Sequence, residues 1–350
     1  MNISFKSSCI RCTLLFVLVF TIVLCRLVPH CGELYAIHAY PLISSFLSFC
    51  ACPLPYSLSE WISVGLLLLL FVLPIFLHKK SFRYILFTEF EIVLWIVVWF
   101  YLGWGMNYFR ESFYDRAEIS KSEVDKAEFC TFLHAYTDSL NASYIAFSEI
   151  DTQKVEKEIK DGYNNLYHDF GLTKPKSWQH PKLLTFNDLY NSVGVLGYMG
   201  PFTCESQLNN DLPPVQYPSV YAHELAHLLS VSSEAEATFW AYVICTNSND
   251  AKTKCSGYLS IFPNVIRNAR SILNRQEFDT WKSTVSPDVI KQRELLRNYW
   301  NTKYNETIGN VQDVMFNALL KTNKIHEGTK NYDGVVNMII SSRNIRFFAQ

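Results

Sequence analysis

The stretch of this 350-residue chain whose residue types and spacing could do chemistry is Tyr221-Ala222-His223-Glu224-Leu225-Ala226-His227. On a helix, His223 and His227 lie one turn apart on the same face, so both imidazoles can meet one zinc ion. Glu224 sits beside them. From there its carboxylate can reach a metal-bound water of lowered pKa and act as general base in hydrolysis. The chain's own frequencies of His and Glu give an HExxH by chance about 0.01 times over this length. The flanking residues Val220, Ala222, Leu225, Ala226, Leu228 and Leu229 are small or apolar, which predicts a helix buried nearly all round. A buried helix carrying His, Glu and His must satisfy all three, and a metal does so; the bland alternative is a pair of core histidines satisfied by protein groups.

A third ligand is required to close such a site. The metzincin pattern HExxHxxGxxH is excluded, because Ser230 and Ser233 stand at the Gly and final His positions. A carboxylate from a following helix is the other common solution. Glu234 and Glu236, in Ser233-Glu234-Ala235-Glu236-Ala237-Thr238-Phe239, are the nearest candidates, brought back by a short turn over residues 230–232. Glu236 is favoured and Glu234 is the alternative. Each also has a structural reading, since Ser233 and Glu236 fit a capping box and Glu234 fits the acidic first turn of a helix.

The elements that must position these residues follow from periodicity. Segments 121–140 and 152–170 carry apolar residues at helical spacing, and Gly171 stops the second. Residues 182–186, 193–199 and 202–208 are short β-like runs bounded by Asn, Gly, Asp and Pro. Helical patterns return over 219–229, 233–245, 258–273, 287–299, 308–320 and 332–341. The expected fold class is therefore α+β, predominantly helical, with a small sheet inserted between helices. The run over 193–208 is the expected edge at which an extended substrate would pair, the alternative being an ordinary hairpin. Tyr198, Tyr221 and Tyr242 are candidate donors to a developing oxyanion, each with a plain structural role as its alternative.

Ahead of this domain the composition changes. Segments 13–28, 61–77 and 92–109 read as three transmembrane helices, the second without a charge and the third rich in Trp and Tyr toward its far end. The first is read as an uncleaved anchor rather than a secretory signal, with Arg26 snorkelling from its end. Glu89 and Glu91 are expected to mark the near interface of the third. Lys6 and Arg11 precede the first span and Lys79, Lys80 and Arg83 fill the second short loop, so these regions are expected to be cytoplasmic. Residues 29–60 and everything beyond about residue 110 then fall outside, giving a membrane region over 1–110 and a soluble domain over 111–350. Cys31, Cys50, Cys52, Cys130, Cys204, Cys245 and Cys255 would face that side, with Cys245–Cys255 the first-choice disulfide and buried free thiols its alternative.

With 31 Lys+Arg against 32 Asp+Glu and only 18% charged residues, the chain has neither the field to recruit nucleic acid nor the polarity of a disordered protein. The implied partners are a lipid bilayer and a peptide or protein substrate.

HELAH followed by EAEATFWAY resembles the zincin metallopeptidases with a Glu ligand, the gluzincin-like group, in which an E-A-[ND] element on the next helix supplies the third ligand. More closely, the chain resembles DUF3810, an uncharacterised bacterial family of membrane-anchored HExxH proteins catalogued as a domain of unknown function. The residues that carry this resemblance are Trp104-Gly105-Met106-Asn107-Tyr108, Gly200-Pro201-Phe202-Thr203 leading to Asp211-Leu212-Pro213-Pro214, and the HExxH with its acidic follow-on helix. The resemblance implies His223 and His227 as zinc ligands, Glu224 as base and Glu236 as third ligand. Thr238 departs from the usual Asn or Asp, and residues 228–230 lack the Gln and Gly expected after HExxH. The functional expectation is a multi-pass, inner-membrane zinc metallopeptidase with its N-terminus cytoplasmic and its catalytic domain outside. The alternatives are a non-catalytic membrane-anchored binding or scaffold protein with a structural or vestigial zinc site, and an intramembrane protease. The distance along the chain from the last span to HELAH argues against the latter.

Overall fold

In the computed structural model, which describes residues 3–121, 124–323 and 334–343, the apolar N-terminal third is helical almost throughout. Helix α1 (Ile3–Leu27) is followed by α2 (Cys31–Leu34), which passes through one π-helical turn, Tyr35–Ala39, into α3 (Tyr40–Ala51). Two long helices follow, α4 (Leu58–Phe76) and α5 (Phe82–Gly103). Ser57 and Ser81 start these two by accepting the Glu60 and Tyr84 backbone N–H groups, donors that a helix leaves unpaired at its first turn. The expected spans at 13–28 and 61–77 lie largely within α1 and α4.

Two features differ from expectation. The third apolar helix is displaced, running over Phe82–Gly103 rather than 92–109, because Trp104 turns the chain into a short 3-10 helix, Gly105–Phe109, whose Met106 and Asn107 are buried in the folded core. Glu91 consequently sits inside α5 rather than at its start, where it accepts a hydrogen bond from Arg11 of α1 at 3.0 Å. Opposite charges on neighbouring apolar helices thereby neutralise each other. In addition, among the described residues four helical segments rather than three are long and apolar enough to cross a bilayer: 9–27, 31–51, 58–76 and 82–103. The extra one, α2 to α3, falls where an outer loop was expected.

The remainder is built from α6 (Phe113–Arg116), α7 (Lys126–Ser143) and α8 (Thr152–Leu166), then β1 (Lys182–Leu183), α9 (Asn187–Ser192), β2 (Gly197–Gly200) and β3 (Glu205–Leu208). Helices α10 (Tyr217–Leu228), α11 (Glu234–Thr246), α12 (Ala251–Ile272), α13 (Arg275–Thr284), α14 (Pro287–Asn301), α15 (Glu306–Thr322) and α16 (Gly334–Ser342) complete it. The fold is thus α+β and mainly helical. Its sheet has the order β1-β3-β2, with β1 parallel to β3 and β2 antiparallel to it, Tyr198 opposite Gln207, so β2 is an edge. Around α10 and α11 the core closes with Phe113, Phe129, Leu133, Tyr163, Phe239, Trp240 and Phe262, all essentially without solvent contact. Helix α13, absent from the periodicity reading, has few apolar residues but opens on a full capping box between Asn274 and Glu277. Residues 332 and 333 of the expected last helix lie outside the described residues.

Packing is continuous across residue 110. The Arg110 guanidinium pairs with Glu33 at 2.7 Å, the Tyr40 hydroxyl donates to the Leu228 carbonyl at 2.8 Å, and Gly32 lies so close to the Phe109 and Arg110 backbone that a Cβ there would collide with it. The disulfide expectation is corrected. Cys25 and Cys31 form the bridge, whereas Cys245 and Cys255 are free and buried. Although close in sequence, they face apart: Cys245 packs on Gly257, and the Cys255 thiol points to the Ile145 carbonyl at 3.6 Å.

Candidate metal centre

Helix α10 is apolar on every side because it is buried on every side, between α11, α12, α8 and the sheet. It ends abruptly. Ser230 adopts a left-handed conformation (φ 79°), and the Val231 N–H returns to the Ala226 carbonyl at 3.1 Å. Arg110 holds this strained turn by donating to Ser230 Oγ at 2.7 Å and to its carbonyl at 3.1 Å. Ser233 then caps α11 by accepting the Glu236 N–H. The chain therefore folds back at once, and the first turn of α11 faces the histidines of α10.

His223 Nε2 and His227 Nε2 are 3.1 Å apart, and Glu234 Oε2 lies 3.2 Å from the first and 3.5 Å from the second. Among the described residues this trio is the group of His, Cys, Asp and Glu side chains close enough to hold a metal ion. Outer partners fix each ring. His227 Nδ1 is 2.8 Å from the Val231 carbonyl, which can only accept, so Nδ1 carries the hydrogen in the neutral ring. His223 Nδ1 is 3.3 Å from Thr238 Oγ1. Two imidazole Nε2 atoms and a carboxylate oxygen thus converge on one point, an arrangement that a shared proton or a bound cation satisfies. The separations also suit zinc. Bonds of about 2.0–2.1 Å in a tetrahedron put ligand atoms about 3.3 Å apart.

Glu234 and not Glu236 occupies this position, which corrects the preference stated for the third acidic group. Glu236 is buried on another face of α11, where Arg116 holds its carboxylate and Trp240 Nε1 donates to it at 3.0 Å. The reason is helical phase: two residues apart on a helix means opposite faces. Burial disfavours charge on both acids, but the two histidines hold Glu234, and the Arg116 guanidinium holds Glu236, below the usual carboxylate range. His227, although burial favours its neutral form, is pushed up to about 9 by Glu234.

Glu224 is buried beside the pair, and burial raises its carboxyl above the ordinary value. Strand β2 runs against it: a Cβ on Gly197 would come within 2.6–2.9 Å of the Glu224 side chain, so only glycine lets strand and carboxylate approach this closely. Of the three tyrosines considered, Tyr198 lies on β2 within the electrostatic reach of Glu224, stacked on Tyr190 at 6.2 Å. Burial keeps its phenol protonated, hence a donor. Tyr242 packs edge-on against Tyr258 at 5.7 Å, and the Tyr221 hydroxyl is buried without a hydrogen-bond partner among the described residues.

Sequence reasoning missed Trp104 and Tyr108, assigned above to a membrane span. Trp104 Nε1 donates to the His227 carbonyl at 2.9 Å, and its ring stands edge-on to both His227 and Tyr108. Tyr108 lies within the electrostatic reach of Glu234. The long stretch of sequence between the last apolar helix and HELAH is thus no separation in space.

The model of the family described as "Protein of unknown function (DUF3810)" matches residues 35–340, most of the chain, which therefore belongs to that family. No curated protein and no solved structure matches it.

Proposed function

We propose that this DUF3810 member is a membrane-anchored zinc-dependent metallopeptidase, with His223, His227 and Glu234 as metal ligands and Glu224 as general base. The observation that carries the reading is the meeting of two imidazole Nε2 atoms and one carboxylate oxygen at 3.1–3.5 Å, the spacing of ligand atoms around one metal ion. Zinc bound there would supply Lewis-acid polarisation of a water and of a substrate carbonyl. Val231 and Thr238 orient the rings. Glu224, its proton affinity raised by burial, accepts the proton of the attacking water and returns it to the leaving amine. The β2 edge would take an extended peptide by strand addition, leaving Tyr198 as a donor beside the reacting carbonyl. The Cys25–Cys31 bridge and the Lys/Arg placement support an inner-membrane protein with its N-terminus in the cytoplasm and this site outside.

Metal analysis of the purified full-length protein tests the site. About one zinc per chain is expected, lost in His223→Ala and retained in Glu224→Gln, whose peptide hydrolysis should fall by at least about 100-fold. Unchanged cellular function in Glu224→Gln would instead favour the non-catalytic scaffold.

A further inference from the structure

We propose that residues 31–51 (α2 to α3) lie flat in the membrane plane, with their polar face bonded to the domain and their apolar face seated in the headgroup–acyl boundary of the bilayer, so that only α1, α4 and α5 cross. By length and composition this segment of 21 residues is a fourth span. It would be about 31 Å long, and a crossing helix of that length meets a domain outside the membrane only near one end. Here the domain is met along the whole length. At the start, Glu33 binds Arg110 and Gly32 lies on the Phe109 backbone. Midway, the Tyr40 hydroxyl donates to the Leu228 carbonyl at 2.8 Å. Toward the end, Ser48 Oγ accepts from Trp178 Nε1 and Gln179 Nε2, both at 3.2 Å, and the Ala51 carbonyl accepts from Lys182 Nζ at 2.8 Å.

The other side of the segment presents Leu34, Ile37, Leu42, Phe46 and Phe49 at helical spacing, the last three 73%, 66% and 60% exposed. Continuity with the neighbouring helices identifies the occupant as lipid. The segment begins four residues after α1 ends, tied to it by the Cys25–Cys31 bridge. It ends shortly before α4, whose first turn is anchored to the domain through Ser59 N–H to Glu205 at 2.9 Å and Thr185 N–H to Glu60 at 2.8 Å. Both flanking helices are thus at their domain ends, at the height where a bilayer begins. An interfacial helix buries its apolar face about 5–10 Å into that boundary.

The experiment uses the full-length protein in phosphatidylcholine vesicles whose lipids are brominated near the headgroup or near the acyl terminus. Leu42→Trp and Phe49→Trp each add emission above the wild type. A flat helix gives both added signals the same depth, each quenched about twofold more by the shallow bromine. A fourth span separates the two positions by about 10 Å in depth, and that outcome overturns the proposal. Absence of quenching at both, meaning that protein or water covers the face, overturns it as well. Terminal tags on otherwise unaltered protein give an independent readout: three crossings place them on opposite sides of the membrane, and finding them on the same side overturns the proposal.

Discussion

Glu234 and Glu236 are chemically identical and two positions apart, yet their surroundings give them different work. Glu234 faces two imidazoles; Glu236 neutralises Arg116 inside the core, with both side chains of that pair almost fully buried. Glu234→Gln should therefore weaken zinc retention beyond the about 10–100-fold that loss of an outer partner costs, with little change in the unfolding midpoint of the metal-free protein. Glu236→Gln should do the reverse, keeping zinc while losing about 3–5 kcal/mol of stability, because it leaves a buried guanidinium without its counter-charge. Equilibrium dialysis and thermal unfolding of the two variants separate these outcomes. Residue environment also governs the thiols. Burial pushes Cys204 up to about 12 and raises Cys245 and Cys255 too. A raised value keeps the unreactive protonated form through neutral and mildly alkaline pH, so a thiol reagent at pH 8 should modify these three only after denaturation.

At the scale of elements, the site depends on how closely β2, α10 and α11 approach one another. Gly197→Ala should push the Glu224 carboxylate from its place, reducing hydrolysis while zinc content stays at the wild-type level. The tight reversal after α10 is what aims Glu234, and it is secured from outside the hairpin: Arg110 grips Ser230, and Trp104 and Tyr40 take the His227 and Leu228 carbonyls. These carbonyls belong to the last turn of a helix, where i+4 backbone donors run out. Tyr40→Phe should lower stability by about 0.5–1.5 kcal/mol, more if the buried carbonyl finds no water, as read by the thermal midpoint in detergent.

At the scale of the whole molecule, the apolar N-terminal third and the remainder share one buried core. Arg110, Trp104, Met106, Tyr40 and Glu33 are part of the core that holds the α10–α11 hairpin. A fragment of residues 111–350 should accordingly fail to unfold cooperatively and should aggregate, since it exposes the apolar surface that α3 and the 104–109 turn cover. Cooperative unfolding and zinc binding by that fragment would show the boundary at 110 to be real. The apolar faces of α1, α4 and α5, with Phe71, Phe76, Phe82 and Phe87 strongly exposed, are compatible with association with a lipid bilayer.

Periodicity and local spacing were enough to read the apolar helices at 13–28 and 61–77, the helix carrying His223, Glu224 and His227, the short strands ahead of it and the mainly helical α+β class. Each of these follows from interactions between residues a few positions apart, and those are written in the linear order of side chains. The choice between Glu234 and Glu236, the true partner of Cys31, the burial of Trp104 and the resting place of residues 31–51 were not legible there. All four turn on which groups from distant parts of the chain come within a few ångströms of one another, and the same local pattern serves either outcome. A helix of Leu, Phe and Ser can cross a bilayer or lie along a domain. Contacts such as the hydrogen bonds of Tyr40 to Leu228 and of Ser48 to Gln179, across more than a hundred residues of sequence, favour the second.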